Sequence, residues 1–186
     1  MIGYAICGSF CTHGVSLKTL RGLKKSGADI LPIVSETVYS TDTRFGKADD
    51  LLWEMRDICG RDVIHTVKDA EPLGPSTPLE ALIIAPCTGN TLAKMARGIT
   101  DGTVTMAAKA HLRSDRPLLI ALATNDAMSA NLSSIAVMLQ RKNVYFVPMR
   151  QDDPEKKPHS LIADFAMIPE SFDAMKEGRQ LRPLFL

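Results

Sequence analysis

Short apolar runs alternate with helix-patterned segments along the whole chain. GYAIC (3–7), DILPIVS (29–35), DVIHTV (62–67), LEALIIA (79–85), PLLIALA (117–123) and VYFVPM (144–149) have strand length and composition. After the first run, Val15, Leu17, Leu20 and Leu23 share a helical face, with Lys24 and Lys25 in the last turn and Gly27 as the stop. KADDLLWEMRDICG repeats the design. Asp49 and Asp50 open it, Leu51, Leu52, Met55 and Ile58 form the apolar stripe, Trp53 is assigned to the helix core, and Gly60 ends it. NTLAKMARG, TVTMAAKAHLRS and SANLSSIAVMLQRKN read as further helices. KDAEPLGPSTP, with three prolines and a glycine, and QDDPEKKPHS read as loops. A short helix and the apolar end LRPLFL follow Leu161.

Strands separated by helices imply a parallel sheet covered on both faces, with right-handed crossovers. The expected fold is α/β: a doubly wound, flavodoxin- or Rossmann-like three-layer α/β/α sandwich with a mostly parallel sheet. No repeat or linker divides the chain, so residues 1–186 are expected to form one domain, the tail from about 161 packing on it or on a neighbour.

Composition narrows the function without naming it. Of the 186 residues, 45% are hydrophobic and 23% charged, and the formal net charge is +1, which argues against an extended nucleic-acid footprint or a membrane-surface patch. No apolar run reaches membrane-span length, and MIGYAICGSF lacks a basic leader and cleavage region, so it reads as a first strand. The four cysteines contain no CxxC pair and no metal set, which fits reduced thiols in a cytoplasmic protein.

In doubly wound sheets ligands bind beyond the carboxyl ends of the strands, and three of those ends are polar here. CGSFCTHG offers Gly8 and Ser9 ahead of a helix. IVSETVYSTDTRF offers Ser35, Thr37 and Tyr39, with Glu36 one position late for a ribose grip, which disfavours a standard NAD site. APCTGNTLAKM offers Thr88, Asn90 and Thr91 where helix amides converge, suited to an anion. A plain strand-to-helix turn or an N-cap remains the alternative at each.

APCTGNTLAKMARGITDG resembles the Pro-Ala-Ser-Ala-Asn-Thr region of the homo-oligomeric flavin-containing cysteine decarboxylases. The GSF turn, the VS strand end and ATNDAMSANLSSIAVMLQRKNVYFVP follow in the family's order, so the resemblance spans nearly the whole chain. It implies flavin mononucleotide (FMN), or a phosphate in its place, held by Gly8, Ser9, Phe10, Ser35, Thr88, Gly89, Asn90 and Thr91. It also implies substrate contacts at Asn125 and Met128, although the family's order of Met and Asn is not kept. NDAMSANLSSIAVML and YFVPMRQDDPEKKPHS resemble a branch from spore-forming bacteria. That likeness implies one component of an oxidoreductase for a small tetrahydropyridine dicarboxylate, with NAD(P) on a separate partner chain. Homo-oligomers, trimers or higher, are implied too.

The family's catalytic histidine has no counterpart. Pro72 falls at its position and His65 lies seven residues earlier, so the catalytic group is unassigned and two rivals stay open: a flavin-dependent decarboxylase of a cysteine compound, and a non-catalytic stabilising partner. Lys94, Arg97 and Arg150 are candidate carboxylate partners. His13 reads as a solvated cap, His111 and His159 as surface residues, and Cys11 as an inert side chain beside the site.

Overall fold

The computed structural model describes residues 1–186. In chain order it contains β1 (Ile2–Ile6), α1 (His13–Lys25), β2 (Ile30–Val34), α2 (Glu36–Ser40), α3 (Ala48–Cys59), α4 (Val67–Ala70), β3 (Leu82–Cys87), α5 (Gly89–Arg97) and α6 (Thr103–Leu112). Then follow β4 (Leu118–Thr124), α7 (Leu132–Leu139), β5 (Val144–Phe146), β6 (Met149–Arg150), β7 (Leu161–Ala163) and α8 (Ile168–Lys176). The sheet runs β2-β1-β3-β4, all parallel. Beyond β4 one edge is shared: β5 pairs in parallel with Leu118–Ile120, and β7 pairs antiparallel with Ala123 and Thr124.

The central strands are apolar throughout because helices cover both faces, and their period of two divides the core. Leu82 and Ile84 of β3 pack with α5, α6 and α7 through Leu92, Met95, Ala107 and Ile135. Ile83 and Ala85 face the opposite layer, where α1, α3 and α8 contribute Leu20, Met55 and Met175. The parallel strands β2, β1, β3 and β4 therefore deliver their carboxyl ends to one rim. The antiparallel β6–β7 pair carries residues 151–160 to the same rim.

The expected three-layer, mostly parallel α/β sandwich is the observed fold, with local departures: α4 lies where a loop was expected, VYFVPM is split between β5 and β6, and Val15 is exposed. DVIHTV is not a strand: only Ile64 bridges Ile33, because Thr66 at once caps α4 by accepting from the Asp69 amide. Trp53 is not core. The buried stripe of α3 is Ala48, Leu52, Met55 and Cys59, which turns the neighbouring Trp53 outward at 67% exposure. His111 is fully buried rather than on the surface, its Nε2 2.8 Å from the Pro117 carbonyl and its Nδ1 without a partner. The terminal LRPLFL folds back, the Met149 amide donating to Leu184 O and the Leu186 amide to Met149 O, so the tail is tied to β6. No helix is long and apolar enough to cross a membrane.

Candidate functional site

At the carboxyl rim the chain folds two adjoining clefts that share Gly8, Thr88 and Asn90. One, of about 540 Å³, lies toward β4 and the 151–160 segment and is lined by Ser9, Cys11, Gly89, Asn125, Asp126 and Lys157 among others. The second, of about 460 Å³, lies toward β2 and α6 and is lined by Ser35, Glu36, Thr37, Thr91, Lys94 and Asp101 among others. The hydroxyl-bearing turns of three separate strand ends thus meet in one continuous depression.

Thr88 and Ser35 cap their helices. The Thr88 hydroxyl accepts from the Thr91 amide at 3.2 Å and donates to Thr91 Oγ1, which itself donates to Cys7 Sγ at 3.4 Å. Ser35 Oγ accepts from Val38 N at 3.4 Å and keeps its own proton free. At Ser35 capping and ligand binding are compatible, since an accepting hydroxyl oxygen can still donate, whereas the Thr88 and Thr91 protons are already given within the chain. The Thr91 amide goes to the Thr88 hydroxyl and the Leu92 amide to the Thr88 carbonyl, which leaves the Gly89 and Asn90 amides as the free donors of the first turn of α5. The side chains of Ser9, Asn90 and Asn125 also have no partner within the chain and border the depression.

Carboxylates belong to the same rim. Glu36 Oε1 accepts from the Thr103 amide and hydroxyl, each at 2.6 Å, and so closes the N-terminus of α6 with an internal negative charge. Asp126 lies beside the start of α5, where its carboxylate accepts from Thr124 Oγ1 at 2.5 Å and Asn131 Nδ2 at 2.9 Å. That triad explains Gly89. A Cβ there would lie 2.5 Å from Thr124 Oγ1, 2.6 Å from Asn131 Nδ2 and 2.7 Å from Asp126 Oδ1, so only glycine lets α5 start this close to β4. The cations are matched internally. Lys94 pairs with Asp101 at 2.8 Å and holds that carboxyl below its ordinary range, and Lys157 pairs with Asp152, which raises the ammonium.

Of the residues expected at the site, Gly8, Ser9, Ser35, Thr88, Gly89, Asn90, Thr91 and Asn125 border the two clefts. Phe10 instead faces a separate hollow with Leu17, Val38 and Phe45, because the 3-10 turn after Ser9 swings it away, its ring centroid 5.1 Å from that of His13. Met128 faces another hollow beside Met149 and Phe185. His13 is no solvated cap: it is partly buried, Nε2 lies 2.8 Å from the Cys7 carbonyl, and burial lowers its pKa, which favours the neutral ring. His65 stacks on Tyr39 at 3.9 Å and borders neither cleft. Arg97 donates to Ser134 and Arg150 pairs with Asp164, both away from the depression. Cys11 is exposed beside Lys157, whereas burial pushes Cys7 up to about 11 and Cys87 well above its ordinary value. No set of three His, Cys, Asp or Glu side chains is placed to hold a metal. Asp126 and Lys157 are members that pattern reading missed, their only signal being position just after a strand end and in a polar loop.

A family model described as Flavoprotein matches residues 2–162. The chain belongs to the flavoprotein family. Over its full length this flavoprotein is 38% identical to the B subunit of dipicolinate synthase from Bacillus subtilis (strain 168), matching 185 residues and 92% of that protein. Among solved structures it superposes on the dipicolinate synthase B subunit from Bacillus halodurans with a TM-score of 0.91 at 38% identity, covering 100% of this chain and 95% of the other. The FMN-dependent cysteine decarboxylase SpaF shares the fold alone, with a TM-score of 0.67, 19% identity and 95% coverage of both chains. Every residue lining the flavoprotein's two rim clefts lies inside the region that the family model matches.

Proposed function

We propose that this flavoprotein is the B subunit of a dipicolinate synthase, the flavin-binding component of an oxidoreductase that converts a tetrahydrodipicolinate-type precursor to dipicolinate during sporulation. The observation that carries the reading is full-length similarity at 38% identity together with a polar depression formed from three strand ends. The donor chemistry fits FMN. Ser35, Thr37, Asn90 and the free amides of Gly89 and Asn90 suit a phosphate and ribityl chain, and the wider cleft toward Asn125 suits the ring. Bound there, a flavin supplies a two-electron acceptor. The chain's own part is to orient it: Gly89 admits the close approach of α5, and Ser9 and Asn125 offer hydrogen bonds at the open side.

The nicotinamide nucleotide belongs, in this reading, to the A subunit of dipicolinate synthase, and the B subunit works in the mother-cell cytoplasm as a homo-oligomer, a trimer or higher. Exposed Ile99, Leu132 and Val137, and Phe185 and Leu186 at the tail, supply apolar surface for such contacts. The position of His65, stacked on Tyr39, weighs against a decarboxylase that needs a base at the flavin. One observation favours a non-catalytic stabilising role: Glu36 and Asp101 place two carboxylates in the cleft assigned to the phosphate.

Absorbance separates the two. The full chain, expressed with and without its nicotinamide-binding partner, is expected to purify yellow or to take up FMN, and dipicolinate is expected only when both chains are present. A colourless chain that takes up no flavin, while the pair still makes dipicolinate, would leave only the stabilising role.

A further inference from the structure

A third cleft, of about 390 Å³, opens between the ends of α5 and α6 and the residue Arg141 just after α7. Lys109, Arg113 and Arg141 line it, with Thr100 offering a hydroxyl and Met95, Ala108 and Leu112 forming the apolar floor. No carboxylate borders it, and none of the three cations has an ion-pair partner in the chain.

Helix-end electrostatics account for only part of this. Cations suit the carboxyl ends of helices, and Arg141 Nη1 does donate to the Met95 carbonyl at 3.2 Å. Lys109 and Arg113 make no side-chain hydrogen bond at all, although Arg113, the C-cap of α6, follows Lys109 by one turn. Apolar side chains beside three cations without ion-pair partners suit a small organic polyanion with an apolar body. The volume lies within the range of small-molecule sites, roughly 300–1,000 Å³. The rim clefts cannot serve such a ligand equally well, since Lys94 and Lys157 are already paired with Asp101 and Asp152 and further carboxylates stand beside them. Thr105 lines both this cleft and the cleft of Ser35 and Glu36, so the two adjoin through one side chain.

We propose that this basic cleft binds a small planar dicarboxylate of the product's kind at a position beside the phosphate cleft and apart from the ring, with Arg113 and Arg141 as guanidinium forks on its carboxylates and Lys109 as a point charge. The proposal rests on the oxidoreductase reading above for the identity of the ligand, but its deciding residues are separate from those assigned to flavin.

The test is calorimetric titration of the full chain with pyridine-2,6-dicarboxylate, and with pyridine-2-carboxylate and sulfate as comparison probes. Saturable binding of the dicarboxylate is expected. Arg113→Gln is expected to weaken it about tenfold, as loss of a charge-assisted bidentate contact does, with Arg113→Lys recovering part of the loss. FMN uptake is expected to stay unchanged in both variants. Because Arg141 also holds the end of α5, Arg113→Gln and Lys109→Gln are the deciding variants. No binding by the unaltered chain, equal binding by Arg113→Gln and Lys109→Gln, or sulfate binding as tightly as the dicarboxylate would each overturn the proposal. Dicarboxylate binding that responds to Arg113 in a chain that takes up no flavin would keep this site and sink the flavin reading. Flavin uptake with no response to Arg113 would do the reverse.

Discussion

The rim depression and the basic cleft lie side by side, yet they treat charge in opposite ways. In the depression each cation is neutralised by an acid of the same chain, Lys94 by Asp101 and Lys157 by Asp152, and Glu36 fills the start of α6. What remains free there is hydroxyl, side-chain amide and backbone donor. In the basic cleft the cations are free and the acids absent. A ligand gripped by many neutral donors is positioned by geometry, whereas one gripped by bare guanidinium groups is selected by charge. The contrast fits a division between holding a cofactor and selecting a small dianion beside it.

The sharpest way to break that division is a charge placed in the neutral region. Asn90→Asp adds a carboxylate at the residue shared by both rim clefts. It is expected to weaken FMN binding by roughly a hundredfold or more, while dicarboxylate binding at the basic cleft falls less than about twofold. Isothermal titration with each ligand reads both effects.

Next in size is Gly89→Val. Its side chain would meet Thr124, Asp126 and Asn131, each already within 2.7 Å of a Cβ, so α5 must retreat from β4. A loss of about 2 kcal/mol in urea unfolding is expected, as for other overpacked sites, together with weaker FMN binding. Unchanged stability would mean that the polar triad does not set the start of α5.

A smaller effect of opposite sign is expected from Glu36→Gln. Removing a negative charge from the cleft assigned to the phosphate should tighten FMN binding by roughly fivefold while leaving riboflavin, which lacks the phosphate, nearly unaffected. Equal effects on the two flavins would place the phosphate elsewhere.

The smallest effect is on pH dependence. Burial lowers the pKa values of His111 and His13 below the ordinary 6.5. Below that value the unfolded chain takes up protons that the folded chain refuses. Stability from these groups is therefore complete above about pH 6.5 and falls as pH drops toward the lowered folded values. His111→Gln should flatten the slope of unfolding free energy against pH between about 6.5 and 5 by up to about 1 kcal/mol per pH unit. An unaltered slope would assign the dependence to other groups.

The layered sheet was legible because its signals are local and repeated: apolar runs of strand length, helical stripes and glycine stops recur in the right order. Turn chemistry was legible for a related reason, since Ser35 and Thr88 advertise both caps and hydroxyl donors by following strands directly. What escaped depends on tertiary contact. DVIHTV has strand composition, but Thr66 diverts it into α4 after a single bridge. The faces of Phe10 and Met128 are set by the turns in which they stand rather than by their neighbours in sequence. The basic cleft was present only as KAHLR, in which Lys109 and Arg113 stand four apart with no acid on the same face. The third cation, Arg141, arrives from the turn just after α7, which no local pattern announces.

That the rim depression is a flavin site is tested most directly by a fluorescence titration of FMN into the full chain. Saturable quenching at about one flavin per chain is expected for a single site of this size, lost in Asn90→Asp while Arg113→Gln behaves as the unaltered protein. Absence of saturable quenching in the unaltered chain, or equal quenching by Asn90→Asp, would contradict it.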